Sequence, residues 1–489
     1  MAAQSFPIPP STSGKAPRWT QPVSFYGQSV FSKYYAQSIC VFLLLIPFLI
    51  SPASAQGQGA IGGQNCVTNY DPNANVDYFP SKITVDNAAL FKVRYEKNFK
   101  VVTNTAAGQN KDYVLYQCGT PAPAASGFAN GTVFVSVPVK AAASLTTTSV
   151  AFIEMLGRRS ALKVVDTEGL VSSPCVQLGL EKGEIVGLED NNKTLRAEQF
   201  QGADLVFAGF TVENGTESKS VITSEVSDPG PLNRAEWLEF YSTFFNLEES
   251  AQKLTSSINN NYNCFKTAAA AKPTKPVVAW SSYVAPYGNN SASWTLSGAE
   301  YKRILTVDAG ATFYNGTDKS IFTTSADFLA ALKTVDVIID ETFAGSDMTS
   351  FLQSYQLTSA NTADYKFLQN QAVFRQDGLV NSNDGRDWFG SGVAMADAVL
   401  QDVIRAVHPD ALPQDVQYNW LRNIVKGEKK QLLNSASCTA TDASTPVPDR
   451  AITCSTMKVG DKGSAANKVT VAGSALTAFF GLLAAALVL

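Results

Sequence analysis

The chain has 489 residues, with 38 Lys or Arg against 42 Asp or Glu and a single histidine. This near-balanced, slightly acidic composition argues against a nucleic-acid binder, which works by neutralising phosphates. Apolar residues make up 45% of the chain, enough for two sizeable cores in one bilobed protein.

At the N-terminus, Ile39 to Ile50 is an apolar run too short to span a bilayer comfortably. Ala53-Ser54-Ala55 follows as a small-x-small cleavage pattern, so residues 1–55 read as a signal peptide, with an uncleaved signal anchor as the alternative. Residues 56–80 form a polar lead-in. An N-terminal α/β lobe is expected over 81–230, with strands at 99–103, 113–117 and 132–140, each rich in Val, Tyr and Phe. Thr146, Thr147 and Thr148 then open a short helix over 149–156 that closes at Gly157, before a strand at 162–165. A helix over 175–180, a strand at 184–186 and another segment at 204–210 continue the alternation, which implies a largely parallel sheet.

Residues 231–267 read as one long connecting helix. Asn233 stands three residues before Glu236 in a capping-box-like start, and Trp237, Phe240, Phe244, Leu247, Ala251, Leu254 and Ile258 recur at steps of three and four. The alternating pattern restarts in a C-terminal lobe over 268–425. It has strands at 276–280, 336–340, 372–374 and 378–380, and helices at 297–309 and 327–334. Another helix over 393–407 stops at His408-Pro409. Residues 426–463 are rich in Ser, Thr, Lys and Asp and read as a stalk. Residues 464–489 end in an apolar run with no basic residue after it. With Gly463 and Ser464 at the attachment point they fit a GPI signal, and a single-pass tail is the alternative.

Removing both ends leaves 34 basic against 42 acidic residues, a balance of −8. Six cysteines remain: Cys66, Cys118, Cys175, Cys264, Cys438 and Cys454. Their even number suits three disulfides in an oxidising compartment, with Cys438–Cys454 the first pairing to expect. N-x-S/T sequons at Asn130, Asn192, Asn214, Asn289 and Asn315 agree with secretion.

Several separated blocks resemble the periplasmic-binding-protein-like class that serves bacterial ABC importers for iron-siderophores, haem or cobalamin. They are VDYFPSKITVDNAALFKVRYEKNFKVV (76–102), YVLYQCGTPAP (113–123), VPVKAAASLTTTSVAFIEMLG (137–157), NRAEWLEFYSTFFN (233–246) and VNSNDGRDWFGSGVAMADAVLQDVIRAVHPDALP (380–413). The resemblance implies two α/β lobes with central, mostly parallel sheets joined by one long helix, and a ligand cleft between them. By position it implies ligand contacts from Thr147 and Thr148 in the first lobe. In the second it implies Trp280, Ser281, Tyr283, Glu341, Thr342, Asn383, Arg386, Asp387 and Trp388. Arg386 could pair with a ligand anion, and Trp280, Tyr283 and Trp388 could stack on a planar group. Each also has a structural reading, as a cap, an internal pair or a core residue.

The implied ligand is a small molecule, first a metal chelate such as an iron-siderophore, bound by a monomer with no resident cofactor. A separate membrane transporter would be needed for uptake, because a GPI anchor cannot reach a cytosolic motor. Members of the class that bind bare zinc or manganese use several histidines, and this chain has only His408. Catalysis is not expected: there is no G-x-S-x-G motif, any triad would rest on His408, and Asp340 and Glu341 point to opposite faces of a strand. The rival function is a structural or adhesive surface protein that keeps the fold without a ligand.

Overall fold

The computed structural model describes residues 63–456, except 167, 315, 317–319, 414 and 441. The signal peptide, the attachment site at Gly463 and Ser464, the terminal apolar run and the Asn315 sequon lie outside the described residues. Within them, no helix is long and apolar enough to cross a membrane.

A four-stranded sheet comes first, in the order β1 (Phe91–Tyr95), β2 (Phe99–Asn104), β3 (Lys111–Gln117), β4 (Val133–Val137). Its last pair is parallel and the others antiparallel. The first lobe's main sheet is wholly parallel and is built from β5 (Ala142–Ser144), β6 (Leu162–Val165), β7 (Val186–Gly187), β8 (Leu205–Ala208) and β9 (Ser220–Ile222). Their spatial order is β7-β6-β5-β8-β9. Helices α1 (Thr147–Met155), α2 (Pro174–Glu181) and α3 (Lys193–Gln201) supply the crossovers. Their starts are chemically marked. The side chains of Thr146, Ser173 and Asn192 each accept a backbone N–H from the first turn, and Pro174 opens α2 where no N–H is needed.

The connector is three helices, not one: α4 (Pro231–Ala235), α5 (Trp237–Thr243) and α6 (Glu248–Ala270). Asn233 lies inside α4 and donates to Asn87 O instead of capping, while the Glu236 carboxylate gathers the backbone N–H groups of Asp86, Asn87 and Ala88. The rod breaks at Asn246, whose φ of 51° is left-handed; asparagine tolerates that region without a glycine. The apolar spacing is nevertheless real. Trp237, Phe240, Tyr241 and Phe244 are fully buried, and their rings pack on Phe91, Phe152 and Phe207. Further along, α6 buries Ala251, Ile258, Tyr262, Phe265 and Ala269.

The second lobe holds a mixed sheet. Its parallel centre is β10 (Val277–Val284), β12 (Thr312–Tyr314), β14 (Val337–Asp340) and β15 (Val373–Arg375), with antiparallel β11 (Ser293–Leu296), β13 (Ile321–Phe322) and β17 (Arg422–Asn423) beside them. Four short helices cover it: α7 (Glu300–Asp308), α8 (Ser325–Ala331), α9 (Met348–Ser354) and α10 (Lys366–Gln369). Helix α11 (Ala396–Val407) packs on α6 and exposes only Arg405 to any extent. His408 ends α11 buried, with Nε2 3.2 Å from Gly310 O, a structural place for the only histidine.

Two expectations are overturned past residue 425. Strand β18 (Gln431–Leu432) pairs with β16 (Leu379–Val380), and the following segment returns across both lobes instead of extending as a stalk. It is held there because Ile452 N donates to Gln401, Cys454 N donates to Asn261 and Arg159 donates to Asp442 O. The cysteines pair as Cys66–Cys118, Cys175–Cys438 and Cys264–Cys454, so Cys438 and Cys454 are not partners. The two bridges of this segment tie it to α2 and to α6, which its short sequence separation had concealed.

Candidate functional site

Most of the residues expected at the ligand face inward. Trp280 is fully buried, donates to Thr306 Oγ1 at 2.9 Å and stands 5.9 Å from the Trp388 ring, itself packed on Trp420. Ser281 bonds the Tyr355 hydroxyl at 2.7 Å, and Thr342 donates to Asp340. Arg386 is 4% exposed and donates to the backbone oxygens of Thr342 and Phe343 at 2.9 and 2.8 Å. Asp387 accepts from Ser172, Ser391, Trp420 and Arg450. Burial alone would push its carboxyl up, but these donors hold it below the usual carboxylate range. Glu341 pairs with Lys302 and accepts from Gln376. Asn383 is exposed, and Tyr283 is half-buried against Trp294. On the other lobe Thr148 donates to the buried Glu225, and Thr147 donates to Phe389 O at 3.2 Å.

These residues form the frame of a site. Beneath it, Asp340–Arg375 and Asp377–Arg422 are buried ion pairs that join the carboxyl ends of β14 and β15 to the start of antiparallel β17. Across the lobes, Asn381 Nδ2 donates to Gly169 O and Val171 O, and Ser172 bonds Asp387, so the 381–391 loop docks on the first lobe.

What the frame leaves accessible is a crevice of about 350 Å³ and an apolar rim. In the first lobe the chain runs from β5 to β6 and β7 on one side, then crosses to β8 and β9 on the other. Ligands of open α/β sheets bind outside the strand carboxyl ends at such a switch point. The crevice lies there, lined by Thr146, Thr148, Gly209, Phe210, Thr223 and Glu225 among others. Glu225 is 2% exposed and its carboxyl is pushed up by burial. Its Oε2 makes no well-formed hydrogen bond, although the hydroxyls of Thr223 and Tyr241 stand beside the carboxyl.

Phe210 at the crevice lip is 72% exposed, and Phe343, Phe389, Val284 and Tyr287 are 52–70% exposed. Each follows the carboxyl end of a strand or belongs to the docked loop. They are linked: Phe210 shares the crevice with Thr146, the neighbouring Thr147 holds Phe389, Arg386 stands 4.9 Å over the Phe343 ring, and Tyr283 N donates to Thr342 beside Val284. Exposed large apolar groups gathered in this way mark binding surfaces more often than chance. Sequence reading missed Phe210, Glu225, Phe343 and Phe389. The signal available was position, since Phe343 directly follows Glu341-Thr342 and Phe389 follows Trp388. Which neighbour turns outward is a tertiary matter.

No family model matches this chain, and no curated protein does. Among solved structures it is similar to a periplasmic heme-binding protein from Pseudomonas aeruginosa, at 14% identity and TM-score 0.42 over 58% of this chain and 98% of that one. It is also similar to an ABC-type Fe3+-hydroxamate transport system structure from Saccharomonospora viridis, at 16%, 0.40, 57% and 98%. A periplasmic vitamin B12 binding protein from Vibrio cholerae matches at 12%, 0.39, 55% and 97%. The likeness is one of chain path, and it carries no ligand across.

A second cavity, of about 320 Å³, lies under residues 439–450, between them and α1, α2 and the Asp387–Ser391 turn. Among the described residues no group of three His, Cys, Asp or Glu side chains is arranged to hold a metal ion.

Proposed function

We propose that this protein captures a small molecule reversibly at the carboxyl ends of its two main sheets, in the crevice and against the apolar rim around it. The observation that carries this reading is the rim: Phe210, Val284, Phe343 and Phe389 are exposed on loops that the frame brings together. A metal chelate such as an iron-siderophore remains the first ligand to test. It would be held by its apolar periphery and by threonine hydroxyls, because Arg386 is turned inward. The setting is the outer face of the plasma membrane or the cell wall through a GPI anchor, with a separate transporter as partner. Support for an oxidising compartment comes from six cysteines paired in three disulfides and from four sequon asparagines, Asn130, Asn192, Asn214 and Asn289, on the exposed surface.

The test is a thermal-shift and native-mass titration of the full-length protein with ferric siderophores, haem and cobalamin. A ligand at a hundred times its Kd adds about 2.7 kcal/mol of stability, which such a measurement resolves. A shift with one compound that Phe343→Ala diminishes supports capture. The second reading, a structural or adhesive surface protein, is favoured by the inward packing of Trp280, Arg386 and Trp388. It would be adopted if the folded protein shifted with none of the compounds.

A further inference from the structure

The crevice also has a chemistry of its own. Three carboxyl groups line it: Glu225 after β9, Asp166 after β6 and Glu213 after β8. Among the described residues the cation paired with them is Arg196, which bonds Glu213 at 2.8 Å and lies 3.9 Å from Asp166. Arg234, from α4, is turned away, with Nε on Asp228 O and its guanidinium 3.9 Å from the Tyr301 ring. Tyr241, from α5, bonds Ser149 at 2.7 Å. Among the described residues no cation pairs directly with Glu225, which feels Arg234 only at a distance, and its Oε2 lacks a well-formed hydrogen bond although the residue is 98% buried. A buried carboxyl oxygen without a donor is costly unless a ligand supplies one.

We propose that this crevice is a subsite for an ammonium group: the molecule captured at the rim carries a protonated amine whose N–H groups bond Glu225 Oε2, with an apolar body lying against Phe210. The inference rests on the capture reading and specifies its ligand. A cation is preferred over a neutral donor because the lining carries more carboxyl groups than cationic ones. The hydroxyls of Thr146, Thr148 and Thr223 surround the same floor and add polar contacts. Phe210, exposed at the lip, offers a ring face to an ammonium or to an aromatic body.

Three probes share one aromatic body and differ only in the head group: phenethylamine, phenethyl alcohol and 3-phenylpropanoate. Isothermal titration of the full-length protein is expected to show the amine binding about tenfold or more tightly than the alcohol, and the carboxylate more weakly than either. Glu225→Gln should abolish the amine's advantage over the alcohol, whereas Phe210→Ala should weaken all three. Equal binding of amine and alcohol, an advantage that survives Glu225→Gln, or no binding of any probe at millimolar concentration would overturn the ammonium site. The chelate titration judges capture separately, so a hit there combined with no amine preference would retire this inference alone. Should Glu225→Gln fail to fold, the native protein's ranking of the three head groups decides, and equal binding of amine and alcohol overturns the proposal.

Discussion

Arg386 carries its charge into the protein, and this decides what its loss should do. Its guanidinium forks onto the carbonyls of Thr342 and Phe343, which bear the rim. Arg386→Ala is expected to cost about 2 kcal/mol in denaturant unfolding, because the Phe343 carbonyl loses a charge-assisted donor while the Thr342 carbonyl keeps only that of Arg375. Arg386→Lys should recover part of it, since one nitrogen, Nη2, makes both bonds and an ammonium can donate to both carbonyls. Phe343 behaves oppositely. It is 65% exposed, so Phe343→Ala should change unfolding by less than about 0.5 kcal/mol while weakening the captured ligand about tenfold. Both residues sit in or near stretches that sequence reading had marked. The pattern did not show that the arginine is frame and the phenylalanine is surface, because both follow short polar turns and differ only in what packs above them.

At the scale of elements, the break between α5 and α6 and the returning C-terminal segment are the informative cases. Asn246 joins a left-handed backbone to three bonds: Oδ1 accepts from Lys100 Nζ at 3.0 Å, and Nδ2 donates to Gln117 at 2.9 Å and to Gly63 O at 3.4 Å. Lys100 is fully buried and paired with Glu248, so its ammonium needs every acceptor it has. Asn246→Gly should therefore destabilise through lost bonds alone, and Asn246→Ala by about 1 kcal/mol more for the left-handed conformation. Chemical denaturation of the two variants separates these contributions. For the returning segment, non-reducing digestion and mass spectrometry should recover linked peptides containing Cys175–Cys438 and Cys264–Cys454. A Cys438–Cys454 peptide would refute the docking. Replacing Cys175 and Cys438 together by Ser should cost about 2–4 kcal/mol and expose residues 439–453 to protease.

The molecule as a whole should be more stable in mild acid than in mild base. Burial, reinforced by Asp449, raises the Asp397 carboxyl to about 8, although Asn261 Nδ2 donates to it. Burial also raises Glu239 to about 7 and Asp402 to about 6. In the unfolded chain these groups ionise near 4, so between about pH 4 and 8 the folded state holds more protons than the unfolded state. Stability is then fully present below about pH 4 for these groups and is lost as pH rises through their folded values. The melting temperature is expected to fall steadily from pH 5 to pH 8. Asp397→Asn should flatten the upper part of that slope, and calorimetry across the range checks both. Asp449 belongs to the returning segment and Asp397 to α11, so the same pair should make that segment easier to cleave at high pH.

The sequence by itself determined the alternation of strands and helices, the positions of β2, β3, β4 and β6, the buried aromatic face of the connector and the helix stop at His408-Pro409. These are local matters of periodicity, turn chemistry and apolar spacing, and neighbouring residues suffice to express them. It missed β5, β9 and β11, which are three or four residues long and gain their stability from the strands beside them. Only the tertiary structure decided that Trp280, Arg386 and Trp388 hold the frame while Phe210, Phe343 and Phe389 form the rim, that Glu225 lies buried on the floor of the crevice, and that Cys438 and Cys454 find distant partners. Those outcomes depend on which surfaces meet across separations of up to 263 residues, and composition and spacing carry no record of that.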